Sequence, residues 1–191
     1  MLGVNGGTGE VEPADRGHAG MTSKADGKPP NIIDVEASGF GPFSYPIEIG
    51  VALGGGGKYC TLVLPLPGWT HWDDDAEAVH RIPRGLLKEC GKPARHVALE
   101  LNGLLGDETV YTDGWVVDKP WLVRLFHEAQ VEPTFRTSAL EMILSEPQME
   151  KWHETKDKVL EDLALTRHRA SYDAYVIQQT WLRTKGSGRP A

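Results

Sequence analysis

The sequence has few of the features that mark secreted or membrane-embedded proteins. It contains only two cysteines, Cys60 and Cys90, without CxxC spacing, so neither a disulfide framework nor a zinc knuckle is predicted. No apolar run approaches the roughly 18 residues that span a bilayer. The N-terminal segment lacks the basic start and apolar stretch of a secretory signal. These absences predict a soluble protein of the reducing cytoplasm with no membrane contact.

Basic residues are outnumbered as well, with 20 Lys and Arg against 27 Asp and Glu and a net charge of −7. Binding of a long duplex usually draws on a broad basic surface, so this balance argues against a high-affinity duplex binder. The C-terminal segment from residue 167 to residue 191 differs, because its five basic residues accompany the single acid Asp173. The five are Arg167, Arg169, Arg183, Lys185 and Arg189. We therefore expect any contact with phosphate to be local.

Composition divides the chain into one domain and two tails. The first thirty residues carry seven glycines, little apolar content and charges of both signs, which predicts a disordered tail over residues 1–30. An apolar, β-branched segment follows Pro29 and Pro30, and 191 residues suffice for one domain with a sizeable core. We predict a folded domain over residues 31–184 and a flexible tail over residues 185–191.

The order of apolar patterns predicts an α/β fold. Strand patterns cover residues 31–37, 46–53 and 58–64, and glycines 54–57 can form the reversal of an antiparallel hairpin. Helical patterns follow at residues 84–90, 92–105, 118–129, 138–144, 146–163 and 171–181, with short strands near 109–112 and 134–136. This order predicts a mixed sheet with helices on both faces. The glycine run is not a phosphate-binding loop, because Ala52 and Tyr59 replace residues that such a loop requires.

Two acids lie in the first predicted strand. Asp34 and Glu36 are two residues apart, so the alternation of a strand places both carboxylates on one face and Val35 on the other. Exposure at a strand end would explain the acids without any function. However, the neighbouring Ile32 and Ile33 are typical of a buried strand, and two buried like charges are costly unless a cation offsets them. The pair is therefore a candidate cation site.

Two further acids stand at predicted helix starts. Asp118 opens the helix over residues 118–129 and Asp173 lies near the start of the last helix, where acids are favoured whether or not they bind metal. His168 precedes Asp173 by five residues, which would turn a continuous helix by ~500° and separate the two side chains. We therefore predict that His168 lies in the loop that enters the helix. The acidic residues 73–75 favour a solvated helix start over a cation site.

Together these segments resemble the DEDDh branch of the DnaQ-like 3′-to-5′ exonucleases, which includes ribonuclease T, oligoribonuclease and proofreading subunits. Residues 34–40 with 45–50, residues 118–122 and residues 168–174 are similar to the three motifs of this family, and the HxAxxDA spacing of the third is the most specific. Residues 78–82 resemble the family's Ala-x-x-His-Gly-Ile stretch, with Arg81 where glycine is usual. The second motif lacks the His-Asn pair that often precedes its acid, so Asp113 remains a rival to Asp118.

The resemblance implies a ribonuclease H-like mixed five-stranded sheet flanked by helices, and hydrolysis of RNA or DNA from the 3′ end to nucleoside 5′-monophosphates. The implied ligands of two Mg²⁺ or Mn²⁺ ions are Asp34, Glu36, Asp118 and Asp173. His168 is the implied general base, Phe40 a wedge against the terminal bases, and Arg167 and Arg169 contacts to substrate. Phe40 as an ordinary packed aromatic remains open. So do two other functions, a nucleic-acid-binding relative with weak catalysis and a metal-dependent phosphatase of small phosphoesters.

Overall fold

The computed structural model of the protein describes residues 27–164 and 168–186. Five strands form one sheet: β1 (Asn31–Ala37), β2 (Pro46–Ala52), β3 (Lys58–Leu62), β4 (Thr109–Thr112) and β5 (Arg136–Ala139). Six α-helices surround it: α1 (Asp74–His80), α2 (Arg84–Cys90), α3 (Ala94–Leu105), α4 (Trp115–Ala129), α5 (Glu146–Leu163) and α6 (Ala170–Gly186). A 3₁₀ helix spans Leu140–Ile143.

The sheet is mixed, with strand order β3-β2-β1-β4-β5. β1, β2 and β3 are antiparallel neighbours, and β1, β4 and β5 run parallel. The first three strands form a meander through the glycine-rich reversal, whereas the parallel strands need helical crossovers. β1 therefore lies at the centre, where both kinds of pairing meet.

The core has two parts, one on each face of the sheet. Ile33 and Val35 of β1 pack with buried residues of α3 and α4, among them Leu101 and Leu125. The opposite face carries Ile32, which packs with buried residues of α5 and α6. Alternate residues of β1 thus contact different helix layers, as the period of a strand requires. Asp34 and Glu36 share the face of Ile32 and point toward α6.

The predicted α/β class, the five-stranded sheet and the hairpin after β2 are confirmed. Several predicted bounds were wrong. The helix that was to begin at Asp118 begins at Trp115, because Gly114 accepts the first helical hydrogen bonds and Pro120 is accommodated in the second turn. Residues 138–144 are not an α-helix, since Ser138 and Ala139 complete β5 and only a 3₁₀ turn follows. The short strand expected near residues 134–136 accordingly covers Arg136–Ala139.

Some predictions fall outside the described residues. Residues 1–26 and 187–191 of the two predicted tails do so, as does Arg167. α6 continues to Gly186, beyond the predicted domain boundary at residue 184. Within the described part of the chain, no helix is long and apolar enough to cross a membrane.

Candidate active site

A cleft of about 620 Å³ opens beside β1, and its lining includes side chains from α1, α4, α5 and the start of α6. It brings together residues that lie up to 143 positions apart in the sequence, from Asp34 to Ile177. Among its lining residues are all five that the motifs predicted for catalysis: Asp34, Glu36, Asp118, His168 and Asp173. The fold thus collects the three motifs in one place.

Asp34 and Glu36 face the cleft from the central strand. Both are partly buried, whereas Val35 between them is only 5% exposed and packs into the core on the other face. The predicted alternation is therefore present. Because Asp34 and Glu36 both pair with β2, the backbone that carries the two carboxylates is held in place.

Asp118 lies in the first turn of α4 and is 3% exposed. Its carboxylate accepts hydrogen bonds from the Thr112 hydroxyl and from the backbone N–H of Val35. The Thr112 oxygen in turn accepts a hydrogen bond of 2.9 Å from the Gly114 N–H. A Cβ at Gly114 would lie 2.7 Å from Asp118 Oδ2, so the glycine leaves room for the carboxylate. The turn between β4 and α4 therefore fixes Asp118 in position.

Asp113, the rival to Asp118, has a cationic partner. Its Oδ2 accepts a hydrogen bond of 2.7 Å from Lys156 Nζ of α5, and both side chains are about one-quarter exposed. Asp113 also lies near the cluster, because its charge contributes to raising the pKa of Asp34 and of Asp118. The arrangement favours Asp118 as the ligand of the second motif, since Asp118 is the more buried acid and Asp113 already has an ion pair.

His168 and Asp173 approach Glu36 from the start of α6. His168 precedes the helix, as predicted, with a left-handed φ of 64°. Its backbone N–H donates a hydrogen bond of 2.7 Å to Asp173 Oδ2. Glu36, His168 and Asp173 each offer one ligand atom, and these three atoms lie within 4.8 Å of one another. The imidazole and two carboxylates therefore share one end of the cluster.

An ion pair between a buried glutamate and a half-exposed arginine fixes the start of α6. Glu48 of β2 is 0% exposed and accepts hydrogen bonds of 2.6 Å from Arg169 Nη2 and 2.8 Å from the Ala170 N–H. A Cβ at Gly50 would lie 2.0 Å from the backbone nitrogen of Ser171, so only glycine lets the helix come this close to β2. The predicted contact of Arg169 with substrate stays a prediction, because its guanidinium is engaged here with Glu48.

The carboxylates hold their protons more tightly than isolated acids do. Burial, then the charges of Asp118, Glu36 and Asp173, raises the pKa of Asp34 well above its ordinary value. Burial and the charge of Asp173 raise the pKa of Glu36 to about 7, and burial raises that of Asp118 to about 7.

Acids arranged in this way lose their protons readily only when a cation compensates their charge. Their oxygen atoms are the ligands that hard divalent cations prefer. The residues therefore fit a site for divalent metal ions.

Apolar side chains also line the cleft, and Phe40 and Trp121 are among them. Phe40 is 72% exposed, and its ring centroid lies 6.3 Å from that of Trp121. Phe40 is thus a partly packed ring that remains mostly exposed. Arg81 has a left-handed φ of 57°, which explains why glycine is usual at the matching position of the family. His80 before it is buried, and its Nδ1 accepts a hydrogen bond of 3.0 Å from the Ile82 N–H.

Sequence analysis missed three polar side chains that shape the cleft. Glu48 had a visible signal, since it is a lone acid in an otherwise apolar strand, and burial without a partner would be costly. Thr112 and Lys156 had none, because a threonine at a strand end and a lysine on a helix are common on any surface.

Comparison with known proteins finds similarity in the fold alone. The sequence matches no protein-family model and no curated protein. The fold matches Escherichia coli exonuclease I bound to a dA16 oligonucleotide with a TM-score of 0.60 and 11% identity, over 83% of this chain and 41% of that chain. A zinc-bound complex of the same enzyme with single-stranded DNA matches with a TM-score of 0.61 and 13% identity, over 83% and 40%. The chain spans about two fifths of exonuclease I.

The mixed five-stranded sheet with flanking helices is therefore the ribonuclease H-like fold that these exonuclease I structures have. The prediction of this fold from the sequence motifs is confirmed.

Proposed function

We propose that the protein is a metal-dependent exonuclease that removes nucleotides from the 3′ end of single-stranded RNA or DNA. The observation that carries the proposal is the meeting of four carboxylates and an imidazole from β1, α4 and the start of α6 in one open cleft. Exonuclease I, which has the same fold, has been seen in complex with single-stranded oligonucleotides. This supports a similar substrate here.

The proposed metal ligands are Asp34, Glu36, Asp118 and Asp173, which would hold two Mg²⁺ or Mn²⁺ ions. Bound there, the ions would neutralise the scissile phosphate, promote ionisation of the attacking water and stabilise the leaving oxygen. The protein supplies a fixed geometry for them, because the acidic segment of β1 is paired with β2, and Thr112 and Glu48 hold the other ligand-bearing segments.

His168 is the proposed general base. The loop before α6 places its ring beside Glu36 and Asp173, so a water at that end of the cluster can give its proton to the imidazole. The water oxygen forms a bond to phosphorus as the bond from phosphorus to the 3′ oxygen breaks, and that oxygen takes a proton from solvent. The products are a nucleoside 5′-monophosphate and a strand one nucleotide shorter.

Phe40 is the proposed wedge at the strand end. Its exposed ring forms part of the cleft wall, and an aromatic face stacks on any base without sequence preference. We expect Arg167 and Arg169 to add contacts to the substrate backbone.

Digestion of matched RNA and DNA strands, labelled at the 5′ end, tests the proposal. With Mg²⁺ or Mn²⁺ we expect a ladder that shortens from the 3′ end, release of 5′-monophosphates, and no reaction in EDTA. The Asp34→Asn protein is the matched inactive control. Hydrolysis of p-nitrophenyl phosphate without strand shortening would instead indicate a phosphatase, and retention of strands without cleavage would indicate a binding module.

A further inference from the structure

The cleft has a strong imbalance of charge. Seven carboxylate side chains line it, and among the described lining residues Lys156 is the one lysine or arginine. The seven are Asp34, Glu36, Asp73, Asp75, Asp113, Asp118 and Asp173. Two divalent ions would balance four of these acids, which leaves an acidic surround for a polyanionic strand. Among the described lining residues, Lys156 therefore supplies the one side-chain ammonium that a phosphate in this cleft could contact.

The position of Lys156 is fixed by its ion pair. Asp113 holds its Nζ at 2.7 Å, and the side chain is 25% exposed. An ammonium has three N–H donors, and this hydrogen bond uses one of them. Because the lysine is already ordered and partly desolvated, a further contact with a phosphate would cost little additional side-chain entropy.

Lys156 and His168 enter the cluster from different elements. Glu36, His168 and Asp173 meet at the start of α6, whereas Lys156 of α5 is paired with Asp113 in the turn that leads from β4 to Asp118 of α4. In an in-line displacement the attacking water and the leaving 3′ oxygen lie on opposite sides of phosphorus. With the water beside His168, the nucleotide that carries the leaving oxygen extends toward Asp118 and the ion pair.

A second cavity adjoins the cleft at the ion pair of Asp113 and Lys156. A groove of about 310 Å³ between the 3₁₀ helix and α5 shares Asp113 and Lys156 with the cleft, and Leu144 and Trp152 are among its other lining residues. A strand that leaves the cleft past the ion pair would therefore have space in which to continue.

We propose that Lys156 binds the first phosphate upstream of the scissile bond, at the point where the cleft meets this groove. Asp113 acts as the positioning residue that holds the ammonium in place. This inference rests on the proposed exonuclease function, and it adds a residue that the family motifs do not contain.

The test compares a dinucleotide, whose one phosphodiester is scissile, with a trinucleotide that adds one upstream phosphate. We expect the parent to have the higher kcat/KM for the trinucleotide. Lys156→Gln should reduce this ratio of the two kcat/KM values by about tenfold, the size of one lost charge-assisted hydrogen bond. Lys156→Arg should retain most of the preference. Lys151→Gln, at an exposed position of the same helix, is the matched control and should behave as the parent.

Salt dependence gives an independent measurement. On a longer single strand, the slope of log KM against log salt should fall by about 0.7 in Lys156→Gln, as for one lost phosphate contact. Asp113→Asn removes the carboxylate that positions the ammonium but keeps the ammonium itself, so it should lose only part of the trinucleotide preference and keep the slope.

Three results would overturn the inference: a parent without trinucleotide preference, a Lys156→Gln protein that keeps it, or equal losses in Lys156→Gln and Asp113→Asn. The last would show that the ion pair acts only on structure. Failure of the parent to cleave either substrate with Mg²⁺ or Mn²⁺ would instead count against the proposed function.

Discussion

Replacing Glu36 by glutamine should stabilise the metal-free protein above pH 7, although it removes a proposed metal ligand. Burial, the charge of Asp173 and other nearby acids raise the pKa of Glu36 from 4.5 to about 7. The folded protein therefore keeps a proton on Glu36 that the unfolded chain releases near pH 4.5. The free energy of unfolding falls as the pH rises through this window, because folding then requires a buried carboxylate.

The size of the effect follows from the two pKa values. At about 1.4 kcal/mol for each pH unit, a change from 4.5 to about 7 corresponds to a loss of about 3 kcal/mol by pH 8. The amide of glutamine keeps the shape of the side chain and carries no charge at any pH. For a domain of this length, each kcal/mol shifts the melting temperature by about 2–4 °C. We expect the variant to melt about 5–10 °C above the parent at pH 8 and at the same temperature near pH 4.5.

Thermal melting in EDTA from pH 4.5 to pH 8 measures this difference. Glu89→Gln, at an exposed position of α2, is the control and should follow the parent at every pH. Adding Mg²⁺ should stabilise the parent according to the ratio of ion concentration to dissociation constant, and should stabilise Glu36→Gln much less. If the variant is less stable than the parent at pH 8, or the difference does not change with pH, the protein itself compensates the charge of Glu36. The argument for a cation site would then fail.

Three further changes test other parts of the site. Asp118→Asn should abolish hydrolysis as fully as Asp34→Asn does, whereas Asp113→Asn should be mild; the reverse result in a turnover assay at saturating Mg²⁺ would make Asp113 the ligand. His168→Gln should lower turnover by about 10²- to 10⁴-fold and keep the metal affinity measured by calorimetry, and a parent-like rate would exclude it as the base. Gly50→Ala should lower the melting temperature by several degrees, because the new Cβ would overlap the backbone of α6.

The sequence predicted those parts of the structure that have a local pattern. Alternation along β1 was enough to place Asp34 and Glu36 on one face, and the turn angle of a helix was enough to put His168 outside α6. The start of α4 was predicted wrongly, because the preference of acids for helix starts pointed to Asp118. The helix is instead capped at Gly114, four residues earlier, which places Asp118 inside the first turn, where it is buried.

Contacts between helices and strands that are distant in the chain leave no local pattern in the sequence. Glu48 and Arg169 are 121 residues apart, and Asp113 and Lys156 are 43 residues apart, so no period of a strand or helix relates them. Each contact depends on how a helix packs against the sheet, which follows from the whole core rather than from a short segment. The motifs could therefore indicate the proposed metal ligands and the general base, because the proposed chemistry requires carboxylates and an imidazole at those positions. Side chains that hold those residues in position, or that meet the strand beyond the scissile bond, become visible only when the packing of α5 and α6 is known.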